Sequence, residues 1–140
     1  MSTAGYSGTP LPRKLGIREG CRLRLEGEPD DFAATLGDLP PGVELVDTGA
    51  GGVDVAMLFA VEAATVNARF AELAASLQPA GGLWVGWPKR RSGVATDLDE
   101  NCIRKIGLEA GLVDNKVCAI DTTWSGLRFV WRLRDRPARP

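Results

Sequence analysis

Histidine is absent from all 140 positions of the chain. That absence removes Ser-His-Asp and Cys-His catalysis, and with it the imidazole ligands of most transition-metal sites, so no metal site is expected. Cysteine is scarce. Cys21, Cys102 and Cys118 are odd in number and widely spaced, which is neither a disulfide framework nor a zinc motif and fits a reducing compartment. Also missing is any apolar run near the roughly 20 residues that cross a bilayer. The opening MSTAGYSGTPLPRKLG has no apolar centre of the signal-peptide kind. A cytoplasmic protein without membrane contact is the expectation. Nor is there a surplus of one charge: 17 basic against 18 acidic residues leave a net −1. Non-specific nucleic-acid binding needs a surplus, so nucleic acid is not an expected partner, although a local basic patch is compatible with this balance.

What is present fits one folded domain. The hydrophobic share of 44% and charged share of 25% are those of a globular chain rather than a disordered one. Two prolines and three glycines within the first 16 residues suggest an irregular arm over 1–20. In 21–26 (CRLRLE), Cys21, Leu23 and Leu25 alternate with Arg22, Arg24 and Glu26, the period-2 pattern of a strand with two unlike faces. A short helix over 30–37 and a strand over 43–47 follow. The segment 53–59 (VDVAMLF) is almost continuously apolar, as strands covered on both faces are. Val66, Phe70, Leu73 and Leu77 fall on one helical stripe, which predicts a helix over 62–78 ended by Pro79 and Gly81-Gly82. A second buried strand is expected at 83–87 (LWVGW), placing Trp84 and Trp87 in the core. Thr96 with Asp99 resembles a capping pair for a helix running to Ala110, with Gly111 just past its end. Strands at 113–121 and 127–133 enclose the hairpin loop TTWSG, and a frayed tail covers 135–140.

Strands alternating with helices imply a three-layer α/β domain over 21–134, Rossmann-like, with a mostly parallel sheet of about six strands and an antiparallel last strand. Two joints strain that scheme. The link 48–52 spans at most about 17 Å, so either it is fully extended or strand 43–47 pairs antiparallel; the first is adopted here. Arg22 and Arg24 also occupy a strand face that a fully wound sheet would make apolar. That face either lacks a helix or meets another subunit, which makes a homo-oligomer an expectation.

From residue 53 onward, VDVAMLF, LQPAGGLWVGWP, EAGL and the terminal strand hairpin resemble the C-terminal half of a class I S-adenosylmethionine (SAM)-dependent methyltransferase. The resemblance implies the fold and, through it, SAM as a cofactor. The chain departs from that family where the cofactor would sit. Glu26 and Gly27 match the acidic strand end and first glycine, but LEGEPDD lacks the further glycines, and one βα unit is absent. Asp47, at the end of the second strand, is the residue that would hold a ribose. The whole chain, with GYSGTPLPRKLGI, WPKRRSGVATDL and VCAIDTTWSGLRFVWR, is also similar to a family of small bacterial proteins of unknown function, which implies the fold and no mechanism.

In doubly wound sheets ligands sit beyond the carboxyl ends of the strands. Here that edge would carry 26–30, 47–52, 88–96 and 121–126. Lys89, Arg90, Arg91, Ser92 and Thr96 combine cations with small residues ahead of a helix start, a setting for an anion; the alternative is a solvated basic loop. Asp121 and Trp124 sit in the facing hairpin. Trp124 either stacks on a planar ligand or plugs the core, and Asp121 either binds a ligand hydroxyl or sets the turn. Cys102 and Cys118 read as inert thiols, and Tyr6 with Pro10 to Pro12 as a lid or a cover for apolar surface. The leading functional expectation is a non-catalytic binding or regulatory domain for a small anionic or nucleotide-like ligand or a protein partner. The alternatives are a reduced methyltransferase-like enzyme, with Glu26, Gly27 and Asp47 on the cofactor and Asp121 or Lys89 assisting catalysis, and a structural interaction protein.

Overall fold

The computed structural model describes residues 9–47 and 49–135. Its elements are α1 (Leu11–Lys14), β1 (Arg22–Glu26), α2 (Phe32–Leu36), β2 (Glu44–Leu45), β3 (Val53–Phe59), α3 (Ala63–Ala75), β4 (Leu77–Pro88), α4 (Glu100–Glu109), β5 (Leu112–Ala119) and β6 (Trp124–Trp131). The six strands form one sheet in the order β2-β1-β3-β4-β6-β5. β1 to β4 are mutually parallel, and β6 alone runs against the rest. This is the Rossmann-like, mostly parallel α/β architecture that the alternating pattern predicts.

Apolar side chains fill both faces of the sheet, as the unbroken run of β3 requires. On one face Ala56, Leu58, Leu83, Val85, Leu127 and Phe129 pack against Val66, Phe70 and Leu73 of α3 and Ile103 of α4. Phe70 and Phe129 meet edge to face at 5.1 Å. On the other, Val55, Met57, Phe59 and Trp84 pack against Leu15, Ile17, Phe32 and Leu36. Each such side chain contributes about 1.5–3 kcal/mol on burial. The fully buried Trp84 keeps its indole N–H satisfied by donating to the Leu15 carbonyl at 2.9 Å.

Several expectations need correction. The arm 1–20 is not irregular throughout: Pro12 opens the short α1, and Leu15 and Ile17 are buried parts of the core. Residues 1–8, including Tyr6, lie outside the described residues, as do Thr48 and 136–140. α3 stops at Ala75, and β4 begins at Leu77 rather than 83, running through Pro79. Proline is tolerated there because the β3–β4 register jumps from Val53↔Leu77 to Val55↔Gly82, and a bulge needs no ladder donor. The link after the second strand is not stretched. β2 is only two residues long and level with the start of β1, so the chain returns to Val53 without retracing a full strand. β2 is parallel, so the antiparallel alternative falls. α4 begins at Glu100 instead of near Thr96. Asp99 is its N-cap, accepting from the Cys102 N–H at 2.8 Å, so the Thr96–Asp99 pair is not a capping box. Trp124, Ser125 and Gly126 belong to β6, which shortens the expected hairpin loop, and Leu133 leaves the strand for an exposed turn.

The Arg-bearing face of β1 is covered by the chain itself at Arg24. Arg24 is only 2% exposed and lies in an ion network with Glu26, whose carboxylate also holds Arg69 of α3. Charge is tolerated in that layer because its counter-charges come from the same chain. Among the described residues no helix is long and apolar enough to cross a membrane.

Candidate functional site

The parallel strands deliver their carboxyl ends to one edge, and two structures with opposite character stand there. The first follows β4. Pro88 ends the strand opposite Trp124, and Lys89 then extends the pairing through its N–H to the Thr123 carbonyl at 2.7 Å. The Lys89 ammonium donates to the Asp121 carbonyl, also at 2.7 Å. The basic turn and the tryptophan-bearing hairpin therefore form one neighbourhood. Arg90 and Arg91 occupy a single 3-10 turn ended by Gly93 and are exposed. None of the three cations takes part in an ion pair among the described residues, whereas Arg22, Arg24, Arg69 and Arg104 all do.

The remaining expected residues at this edge hold the scaffold. Asp121 Oδ1 accepts from the N–H groups of Thr123 and Trp124, at 2.8 and 2.7 Å, which is the turn-setting role. Half-buried Trp124 meets the Phe59 ring edge to face at 5.3 Å, and Phe59 meets Phe32 at 4.8 Å, so the indole caps an aromatic row over the core. Ser92 Oγ donates to the Lys89 carbonyl and accepts from the Val94 N–H. Thr96 Oγ1 donates to the Val61 carbonyl and accepts from the Leu98 N–H, while Asp97 caps α3 through the Ala63 N–H. The anticipated help from a helix start does not arise: α4 begins beyond Asp99, which already satisfies its N-terminus.

The second structure ends β1. The strand order reverses between β1 and β3, which makes this the topological switch point of the sheet. Glu26 accepts from Arg69 Nε at 2.5 Å and Nη2 at 3.0 Å, and from Arg24 Nη2 at 2.7 Å. The Arg69 hydrogen bonds, reinforced by both guanidinium charges, hold its carboxyl below the usual range against the opposing effect of burial. Gly27 has φ 74°, and a Cβ there would lie 2.5 Å from the Phe59 carbonyl oxygen. Glycine is required at this point by the neighbouring strand end. Asp47 is not brought into this group. β2 ends at Leu45, level with Leu23, and Asp47 is exposed at a turn closed by the Ala50 N–H.

Sequence reasoning missed Arg69 and Phe59, which complete the two structures. It also missed a cavity of about 410 Å³ beside α2, with Glu28 and Asp30 at its mouth. Arg69 sits on the polar side of an amphipathic helix, a signal shared by every surface arginine. Burial pushes the Cys21 and Cys118 thiols up, consistent with the inert reading. Cys102 is half-buried on α4. Among the described residues no group of acidic or cysteine side chains could hold a metal ion.

The fold is similar to that of several solved SAM-dependent methyltransferases. A SAM-dependent methyltransferase from Aquifex aeolicus matches with a TM-score of 0.62 and 14% identity, over 84% of this chain and 85% of that one. Magnesium protoporphyrin IX methyltransferase from Synechocystis, solved with bound SAM, matches with a TM-score of 0.55 and 14% identity, over 87% and 74%. TrmN from Thermus thermophilus matches with a TM-score of 0.53 and 11% identity, over 87% and 47%. No protein-family model matches the sequence, and no curated protein does either. The fold is thus methyltransferase-like, as the sequence resemblance implied.

Proposed function

We propose that the protein is a non-catalytic ligand-binding domain of methyltransferase-like fold, recognising a small anionic, nucleotide-like ligand beside the end of β4 and the start of β6. The observation that carries this reading is the joining of Lys89 to Asp121, which fixes the root of a turn whose three cations have no carboxylate partner among the described residues. Lys89 keeps two ammonium protons free, Arg90 and Arg91 offer guanidinium forks, and Trp124 offers an aromatic surface alongside. The non-catalytic reading rests on the engagement of two expected acids, Asp121 and Glu26. Asp121 holds a turn, Glu26 is ion-paired, and no imidazole exists to act as a base.

Changing Lys89, Arg90 and Arg91 together to Ala tests the reading. Calorimetric titration with ATP is expected to give saturable heat in the parent protein and none in the variant, with nearly unchanged thermal stability. Equal ATP binding by both proteins, or none by the parent, would remove the proposal. A second reading, a reduced enzyme that binds SAM, is favoured by the fold shared with the Synechocystis protein solved with SAM. Titration with SAM at millimolar concentration decides it, since an absence of heat rejects the cofactor.

A further inference from the structure

A cavity of about 410 Å³ lies between α2 and the outer strands β1 and β2, and no residue of the basic turn is among its described lining residues. Leu25, Phe32, Leu36, Leu39 and Leu45 give it apolar lining. Its origin is topological. β2 is the last strand of the sheet and is only two residues long, while α2 has five residues and cannot reach across it. Leu45 is register-paired with the fully buried Leu23 and so projects from the same side of the sheet, yet it is 61% exposed. A side chain directed at the core layer without a covering helix keeps apolar area in water that an occupant would remove.

The mouth has a sign as well as a shape. Glu28 and Asp30 stand there, both exposed, and neither forms an ion pair among the described residues. Among the described residues no lysine or arginine lines the cavity. The volume is near the lower end of small-molecule pockets, roughly 300–1,000 Å³. We infer that this cavity is a binding site for a small amphipathic organic cation, its apolar body against Leu25, Phe32 and Leu36 and its ammonium group between Glu28 and Asp30. The site is distinct from the basic turn and takes the opposite charge, so the two proposals stand or fall separately.

The test is amide NMR on the full chain, titrated with hexylammonium and with hexanoate, ions of equal length and opposite sign. Hexylammonium is expected to shift the amides of Leu25, Phe32, Ala33, Leu36 and Leu45 saturably. Hexanoate should bind about tenfold or more weakly, the discrimination expected of one charge-assisted hydrogen bond. In a Glu28→Gln, Asp30→Asn variant the two ions should become equal. Ala33→Trp, which fills the cavity from the exposed side of α2, should abolish both. Equal binding of the two ions by the parent protein, shifts centred on other residues, or undiminished binding by Ala33→Trp would overturn the inference.

Discussion

The ends of β1 and β4 occupy equivalent places, each the carboxyl terminus of a parallel strand with charge gathered beside it, and they differ in what that charge does. At β1 the carboxylate of Glu26 is saturated by Arg24 and Arg69, and the next residue is pressed against the Phe59 carbonyl. At β4 the Lys89 N–H is tied to the Thr123 carbonyl and its ammonium to the Asp121 carbonyl, while Arg90 and Arg91 are exposed. Charge at a strand end serves folding where a neighbouring helix supplies its counter-ion, and is available for recognition where none does. Gly27, directly after Glu26, serves packing between the strand ends.

The sharpest way to break this comparison is Gly27→Ala. A positive φ costs an L residue roughly 1–2 kcal/mol, and overpacking against a backbone oxygen about 1–3 kcal/mol more. A loss of about 3–4 kcal/mol in urea unfolding is therefore expected, and a loss below about 1 kcal/mol would show that the β1 end is not packed as described. Glu26→Ala comes next. It removes the carboxylate shared by the buried Arg24 and by Arg69, with an expected loss of roughly 3 kcal/mol.

Glu26 also predicts a pH dependence. Its folded-state carboxyl lies below the ordinary value, so its stabilisation is fully present above the unfolded value near about 4.3 and disappears as pH falls through the lowered folded value. Urea midpoints between about pH 7 and 3 should fall more steeply for the parent than for Glu26→Gln. Parallel curves would mean that the ion pair contributes nothing on the acid side.

At the β4 end the effects should be smaller. Asp121→Ala removes two hydrogen bonds from the hairpin turn, an expected loss of about 1–2 kcal/mol, read by denaturation and by weaker exchange protection of the Thr123 and Trp124 amides. The smallest effect on stability belongs to Lys89, Arg90 and Arg91 changed together to Ala. It should stay within about 1 kcal/mol, since only the Lys89–Asp121 contact is lost. A collapse of stability in that variant would erase the contrast between the two strand ends.

Much of this was legible in the residues. The period-2 pattern of β1, the unbroken apolar run of β3 and the single stripe of α3 each report burial locally, because a side chain's direction follows from its own backbone angles and its neighbours'. The nearness of the Lys89 turn to the Asp121 hairpin was readable too, since β4 ends and β6 begins at the same edge once the strands are assigned. The partner of Glu26 was not, being 43 residues away on a helix surface with nothing to mark Arg69 among other arginines. Tertiary structure alone decided that Arg24 is buried beside Glu26, that Pro79 lies in a bulge of β4 rather than ending a helix, and that a two-residue β2 leaves a cavity beside α2. The reason is common to all three. Periodicity records which side of an element is covered, whereas what covers it depends on which distant segments the sheet order brings alongside.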